Sequence, residues 1–358
     1  MNIELLKQSP MFNLSLSSKE LFHSNFIDWL ITIDNQSMSS LFSNLLKKDF
    51  EILQCNREKN NFDLYIDCSG HQQIIIENKF KSIITDQQLA KYSEKLKDHN
   101  SQNVLLSLNL TDYERSLANK YSWIAVSYTE LCDELQKISF KDKYHQMMVD
   151  DYCKFITEVS SYFSNKNYSR YSLDDMYSEY KKLLEIRLHD ISQKILFNYI
   201  LRELNIKLKK DNKSFVNGYD FSEKISSWQD FWRGTGLVSI NYTIEQGKDN
   251  RSGFRLELQL QYNALKLMLI HENPKQLPDK FKNDFFTIIE NLSKSKFCRK
   301  QGELFPNRKG MEYKKYGSNL IYKSIVLSKD LTMPEIINMM YESFKEIVEF
   351  GSKSEGKL

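Results

Sequence analysis

Apolar residues recur at three- and four-residue spacing through residues 18–33, SKELFHSNFIDWLITI, where Phe22, Phe26, Trp29, Leu30 and Ile33 fall on one side. That spacing predicts a helix with a core face. Ser17 or Ser18 is placed to cap it, and Glu20 and His23, three apart, share a different face. From residue 50 the period shortens. FEILQCNRE, NFDLYIDC and QQIIIENKF are short β-branched or alternating runs, with Lys59-Asn60 and Ser69-Gly70 between them. They predict three successive strands, the last two forming a hairpin. Residues 85–98 return to helical spacing, with Thr85 and Gln88 set as a capping box and Leu89, Tyr92 and Leu96 as the apolar stripe. QNVLLSLNL (102–110) and SWIAVSY (122–128) predict two further strands, and a short helix should follow from Thr129.

The order helix, three strands, helix, strand, strand, helix predicts an α/β domain around one mixed sheet with helices on both faces. Residues 144–164 read as a helix and the polar stretch 164–171 as a linker. The expected boundaries are therefore 1–163 and 172–358. In the second part a long helix is expected from Leu173 to Leu208. Strands should follow within 227–245 and 253–273, then helices at 278–293 and 333–350. That half reads as an accessory α+β domain. Trp228 and Trp232, four apart, are expected in its core.

The length of 358 residues suits two domains. With 41% hydrophobic and 27% charged residues, the chain is globular rather than disordered. Its five cysteines are odd in number, scattered, and form no C-x-x-C pair, which excludes a disulfide framework and a zinc site on spacing. No apolar run reaches the ~20 residues of a membrane span, and the N-terminus lacks signal-peptide features. A cytoplasmic protein with reduced thiols and no membrane contact is expected. Charge is unevenly spread. Residues 1–160 carry 17 Lys and Arg against 22 Asp and Glu, and the remainder 33 against 25. An acidic front half followed by a basic back half suits a carboxylate site joined to a polyanion-binding surface.

The chemistry concentrates at Asp63 and Glu77-Asn78-Lys79. In a strand, alternate side chains share a face, so Glu77 and Lys79 project together. They follow Ile74-Ile75-Ile76, a run apolar on both faces, as in an interior strand. Charges at the end of such a strand are costly unless paired or bound to metal. Asp63, on the preceding strand, can bring a second carboxylate to the same point, with the Asn78 carbonyl nearby. Oxygen donors of this kind suit Mg²⁺ or Mn²⁺. Lys79 would orient or deprotonate the attacking water and stabilise charge on a phosphate.

The stretches K-E-L-F-H-S-N-F-I-D-W-L (19–30), R-E…F-D-L-Y-I (57–66), I-I-I-E-N-K-F (74–80) and Q-Q-L-A-K-Y (87–92) occur in that order. V-L-L-S-L (104–108) and W-I-A-V-S-Y (123–128) continue it. Together they resemble the PD-(D/E)XK nuclease superfamily. More narrowly, they resemble its bacterial branch with an E-x-x-H-S first helix and an I-E-N-K third strand. The resemblance covers about residues 15–140. It implies a restriction-endonuclease-like αβββαβ core and a metal-dependent phosphodiesterase acting on DNA rather than RNA, in bacterial defence or restriction. By the resemblance, Asp63 and Glu77 match the metal-binding carboxylates and Lys79 the catalytic lysine. Glu20 matches the first-helix acidic residue that completes the metal site, and Gln88 the helix glutamine that positions substrate or lysine. Phe62 stands where the motif nominally has Pro. Glu58 matches the family's R-E pair and reads equally as an edge-strand charge. His23 is expected as a hydrogen-bonded residue beside the site, and Tyr92 as a contact to lysine or DNA or a half-buried core residue. The Asn78 side chain is expected to play no part in metal binding.

In the second half, Lys294, Lys296, Arg299, Lys300, Arg308, Lys309, Lys314 and Lys315 interleave with Phe297, Phe305, Tyr313 and Tyr316. That mixture suits a nucleic-acid backbone with base stacking, and equally a solvated basic loop. A homodimer is expected of a nuclease that cuts both strands. Two other readings compete: a non-catalytic nucleic-acid-binding protein on a nuclease fold, and a sensor whose C-terminal domain takes an activator that gates the site.

Overall fold

The computed structural model describes residues 1–18, 20–164, 166–210, 224–232, 235–246, 253–274, 276–298, 314–316 and 319–354. The chain divides into two compact units, Met1–Lys166 and Asn167–Leu358. Among the described residues no helix is long and apolar enough to cross a membrane. All five cysteines are free thiols, four of them buried.

The first unit opens with four helices, α1 (Ile3–Gln8), α2 (Pro10–Ser15), α3 (Leu21–Ile33) and α4 (Asn35–Leu46). Strands β1 (Ile52–Arg57), β2 (Leu64–Cys68) and β3 (Gln73–Lys79) follow, then α5 (Asp86–Lys95) and β4 (Ser101–Ser107). The unit closes with α6 (Asp112–Lys120), β5 (Ile124–Ser127), α7 (Tyr128–Leu135) and α8 (Lys143–Ser164). The strands form one sheet in sequence order. β1, β2 and β3 pair antiparallel, whereas β3–β4 and β4–β5 pair parallel. This is the mixed sheet the sequence predicts. The three-residue turns fall at Lys59–Asn61 and Ser69–His71, on the expected turn signals.

Three local expectations change. Helix α3 starts at Leu21 rather than at residue 18, with Glu20 at the N-cap position and no side-chain cap, because the Glu20 carboxylate is engaged elsewhere. Helix α7 starts at Tyr128, one residue early, because Ser127 and Glu130 form a capping box. Helix α6 has no apolar stripe strong enough to be read, since only Leu117 and Ala118 among its apolar side chains are buried. Parallel strands cannot be joined by a tight turn, so the β4–β5 connection requires such a crossover.

The sheet's interior follows its apolar runs. Ile74, Ile75 and Ile76 are at most 1% exposed. On one face Ile75 joins Phe62, Leu89, Leu96, Leu105 and Trp123 in a cluster under α5.

The second unit contains α9 (Leu173–Leu184) and α10 (His189–Lys210), where a single long helix is expected from the periodicity. The break falls at Arg187, which adopts a left-handed backbone with φ 57°. No glycine or proline marks it. Beyond them lie β6 (Ile225–Trp232), β7 (Thr235–Gln246), β8 (Gly253–Gln261) and β9 (Ala264–Ile270). Helix α11 (Asp279–Ser293), strands β10 (Lys314–Tyr316) and β11 (Leu320–Val326), and α12 (Met333–Ser354) complete the unit. Its six strands pair in the order β10-β11-β9-β8-β7-β6, all antiparallel. Strands β10 and β11 are additions to the sequence reading. One face carries Val238, Ile240, Leu256, Leu258, Leu265 and Leu267, all at most 1% exposed, and α10 and α12 pack on this sheet. Trp228 is 39% exposed on β6, not in the core, and the Trp232 side chain lies outside the described residues.

Gly236 lets the sheet approach α10. A Cβ there would stand 2.7 Å from Cδ2 of the buried Phe197. Gly236→Ala should therefore cost about 1–3 kcal/mol. A lowered midpoint in urea unfolding, with the slope unchanged, is the expected result. An unchanged midpoint would show that Phe197 can move aside.

Candidate active site

The β2–β3 hairpin sets the register. Leu64 pairs with Ile76, so Asp63, just ahead of β2, stands across from Glu77. Oδ2 of Asp63 accepts a hydrogen bond from the Asn78 N–H at 2.6 Å. Two carboxylates in facing positions are mutually unfavourable unless a cation intervenes. Lys79 supplies one. Glu77 and Lys79 lie on the same face of β3, and Nζ of Lys79 is 2.7 Å from Oε1 of Glu77. Both are buried, at 4% and 8% exposure.

Helix α5 presents two more groups to Glu77. Thr85 caps this helix as expected, accepting from the Gln88 N–H. The Gln88 side chain does not close the capping box. Its Nε2 donates instead to Oε1 of Glu77 at 3.1 Å and to the Tyr92 hydroxyl at 3.0 Å. The Tyr92 hydroxyl in turn donates to Oε1 of Glu77 at 3.4 Å. Tyr92 also packs its ring against Phe62 as a half-buried residue, and its hydroxyl meets Gln88 and Glu77 rather than the lysine.

Glu20 stands at the start of α3. Its Oε1 accepts from the Ser82 N–H and Oγ, each at 2.6 Å, and from the Lys81 N–H at 3.2 Å. It thereby clamps the turn after β3, and its charge acts on Asp63 and Lys79. Among the described residues no three His, Cys, Asp or Glu side chains are grouped as metal ligands.

The electrostatics follow from three acids, Glu77, Glu20 and Asp63, acting on Lys79. Burial pushes the Glu77 carboxyl up to about 7, against the pull of Lys79, and the Asp63 charge adds to the rise. Burial also raises Asp63, opposed by the Asn78 N–H and Lys79 and assisted by Glu20 and Glu58. Burial works against the charged form of Lys79, but the Glu77 carboxylate outweighs it and holds the ammonium above its ordinary value. The cluster is thus rich in carboxyl oxygens. Its donors are hard oxygens, which fit a divalent cation such as Mg²⁺ or Mn²⁺.

His23 lies behind the site. It is fully buried, its ring stacks on Phe80 at 3.9 Å, and its Nδ1 is 2.9 Å from the Tyr152 hydroxyl. Burial holds it well below the ordinary histidine value, so it is neutral. Glu58 is exposed in the β1–β2 turn, in a left-handed backbone, and its N–H donates to the Asp63 carbonyl at 3.3 Å.

The sequence does not announce the Asn78 side chain. It is 1% exposed. Its Nδ2 donates to the Glu20 carbonyl at 2.8 Å and to the Ser24 hydroxyl at 3.3 Å, and its Oδ1 accepts from the Tyr128 hydroxyl. The available signal is an amide on the face of β3 that otherwise carries Ile74 and Ile76.

Of the basic cluster, Lys294 is the C-cap residue of α11, and Lys296 is exposed, 3.9 Å from Glu335. Arg299, Lys300, Arg308 and Lys309 lie outside the described residues, as do the side chains of Lys314 and Lys315.

No curated protein and no solved structure matches this chain. A family model described as the PD-(D/E)XK nuclease superfamily matches residues 33–154. The matched span takes in Glu58, Asp63, Glu77, Lys79, Gln88 and Tyr92 and begins after Glu20 and His23. It also contains all five strands of the mixed sheet, which is of the restriction-endonuclease-like type. Within the N-terminal unit, residues 33–154 are thus similar to the PD-(D/E)XK nuclease superfamily, the family that the motif order suggests.

Proposed function

We propose that this chain is a metal-dependent nuclease that hydrolyses phosphodiester bonds in DNA. The observation that carries the reading is the half-buried Asp63 facing the buried Glu77, with Lys79 2.7 Å from the latter. A non-catalytic descendant of the fold would have no use for two facing carboxyl groups and a lysine at the end of an interior strand.

Asp63 and Glu77, with Glu20 alongside, would hold Mg²⁺ or Mn²⁺. The bound ion would supply Lewis-acid charge to the water and the phosphate. Lys79 stays an ammonium beside Glu77, so it can orient the attacking water and stabilise charge on the pentacovalent phosphate. Gln88 and Tyr92 hold Oε1 of Glu77 and keep its carboxylate in one rotamer. What supports a setting in bacterial defence or restriction is the branch resemblance of the first-helix and third-strand motifs.

Purified protein should cut DNA in Mg²⁺ or Mn²⁺ and not in EDTA. The panel is supercoiled plasmid, linear duplex, single-stranded DNA and RNA. Cutting of RNA alone would overturn the DNA assignment, and cutting that persists in EDTA would overturn the metal.

A further inference from the structure

Alternation along β3 places Asn78 on the face opposite Glu77 and Lys79, among apolar side chains. An apolar residue would be the cheaper occupant there, since a buried amide must find partners for every polar atom. Asn78 finds them all on segments that carry or abut the carboxylate cluster. Its main-chain N–H holds Oδ2 of Asp63 at 2.6 Å. Its Nδ2 holds the carbonyl of Glu20 at 2.8 Å and the Ser24 hydroxyl of α3 at 3.3 Å. Its Oδ1 takes the hydroxyl of Tyr128, the first residue of α7. Glu77 and Lys79 are its neighbours in the chain. One residue therefore links every member of the cluster to the others through the back of the strand.

We propose that Asn78 is a positioning residue, which fixes the separation of Asp63, Glu77 and Glu20 by tying α3 and α7 to β3. The inference rests on the metal-dependent reading above and deepens it. A metal site is sensitive to shifts of about 0.5 Å in its ligands, and loss of a group that orients ligands typically weakens binding ~10–100-fold. Asn78→Ala removes the tie to Glu20 and leaves the Tyr128 hydroxyl without its acceptor. Tyr128→Phe removes one hydroxyl and keeps the bonds to Glu20 and Ser24.

The test is Mn²⁺ binding by calorimetry on the full chain, with folding followed by circular dichroism. Asn78→Ala should bind Mn²⁺ about tenfold more weakly at a temperature where it is fully folded, and Tyr128→Phe about threefold more weakly. Ile76→Val, on the same face of the same strand, should lose stability and leave Mn²⁺ affinity within about twofold of the unaltered chain. Wild-type affinity in Asn78→Ala, or an equal loss in Ile76→Val, overturns the proposal. Should Asn78→Ala fail to fold, Tyr128→Phe decides, and unchanged affinity there overturns it. If the unaltered chain binds no Mn²⁺, the metal reading itself fails and the positioning role falls with it.

Discussion

Lys79→Ala is expected to reduce DNA cleavage about 10²–10³-fold, the typical cost of removing one preorganised donor to developing charge. The side chain is 2.7 Å from Glu77 and holds a proton firmly, so no water can take its place with a comparable charge. The fold should survive. Glu77, already raised to about 7 by burial, would take up a proton once its cation is gone, and a neutral carboxyl is tolerated where a carboxylate is not. Initial rates on supercoiled plasmid, beside far-ultraviolet circular dichroism of the same samples, separate the two effects. Cleavage at the wild-type rate by a folded Lys79→Ala protein would remove Lys79 from the chemistry.

Divalent-metal affinity should rise with pH and then level off. Metal and proton compete for the same carboxylates. Burial keeps the Glu77 proton on until about pH 7, and Asp63 is raised as well. Below that range Mn²⁺ affinity should fall at least tenfold per pH unit, and above it should change little. In the metal-free protein the linkage has the opposite slope. The Glu77 value is higher folded than unfolded, so its contribution to stability is full below about 4.5 and is lost as pH rises through about 7. The Mn²⁺-induced rise in melting temperature, measured across this window, should therefore be largest at the alkaline end. A rise that is flat with pH would mean that Glu77 is not a ligand.

Much of the first unit was legible because its strands carry their own signals. The Ile74–Ile76 run, the paired turn signals and the stripe on α5 each depend on neighbouring residues alone. The charged ends of those segments also announced the cluster of Asp63, Glu77 and Lys79. What stayed hidden either lacks an apolar pattern or depends on distant partners. Helix α6 is stabilised by a capping box and two small contacts, not by a stripe. The α9–α10 break is made by an arginine in a left-handed backbone, which no local preference favours. Gln88 has the spacing of a cap, yet its side chain turns to Glu77 because a buried acid needs a donor more than a helix end does. The sequence points to Asn78 only through its main chain, since its side-chain partners Glu20, Ser24 and Tyr128 lie some fifty residues away along the chain.

β3 lies where the sheet changes from antiparallel to parallel pairing, with a neighbour bonded along each side. Edge strands can fray into solvent while the rest of a domain stays intact, but a doubly paired central strand exchanges its amide hydrogens only when the whole unit opens. The β2 ladder, however, stops at the Leu64–Ile76 pair, so Glu77 and Lys79 are held in the sheet on the β4 side alone. The alignment of Asp63 with Glu77 depends on the Asn78 N–H beyond the ladder's end, so this end of the hairpin can loosen before the unit unfolds, and thermal inactivation should precede global unfolding.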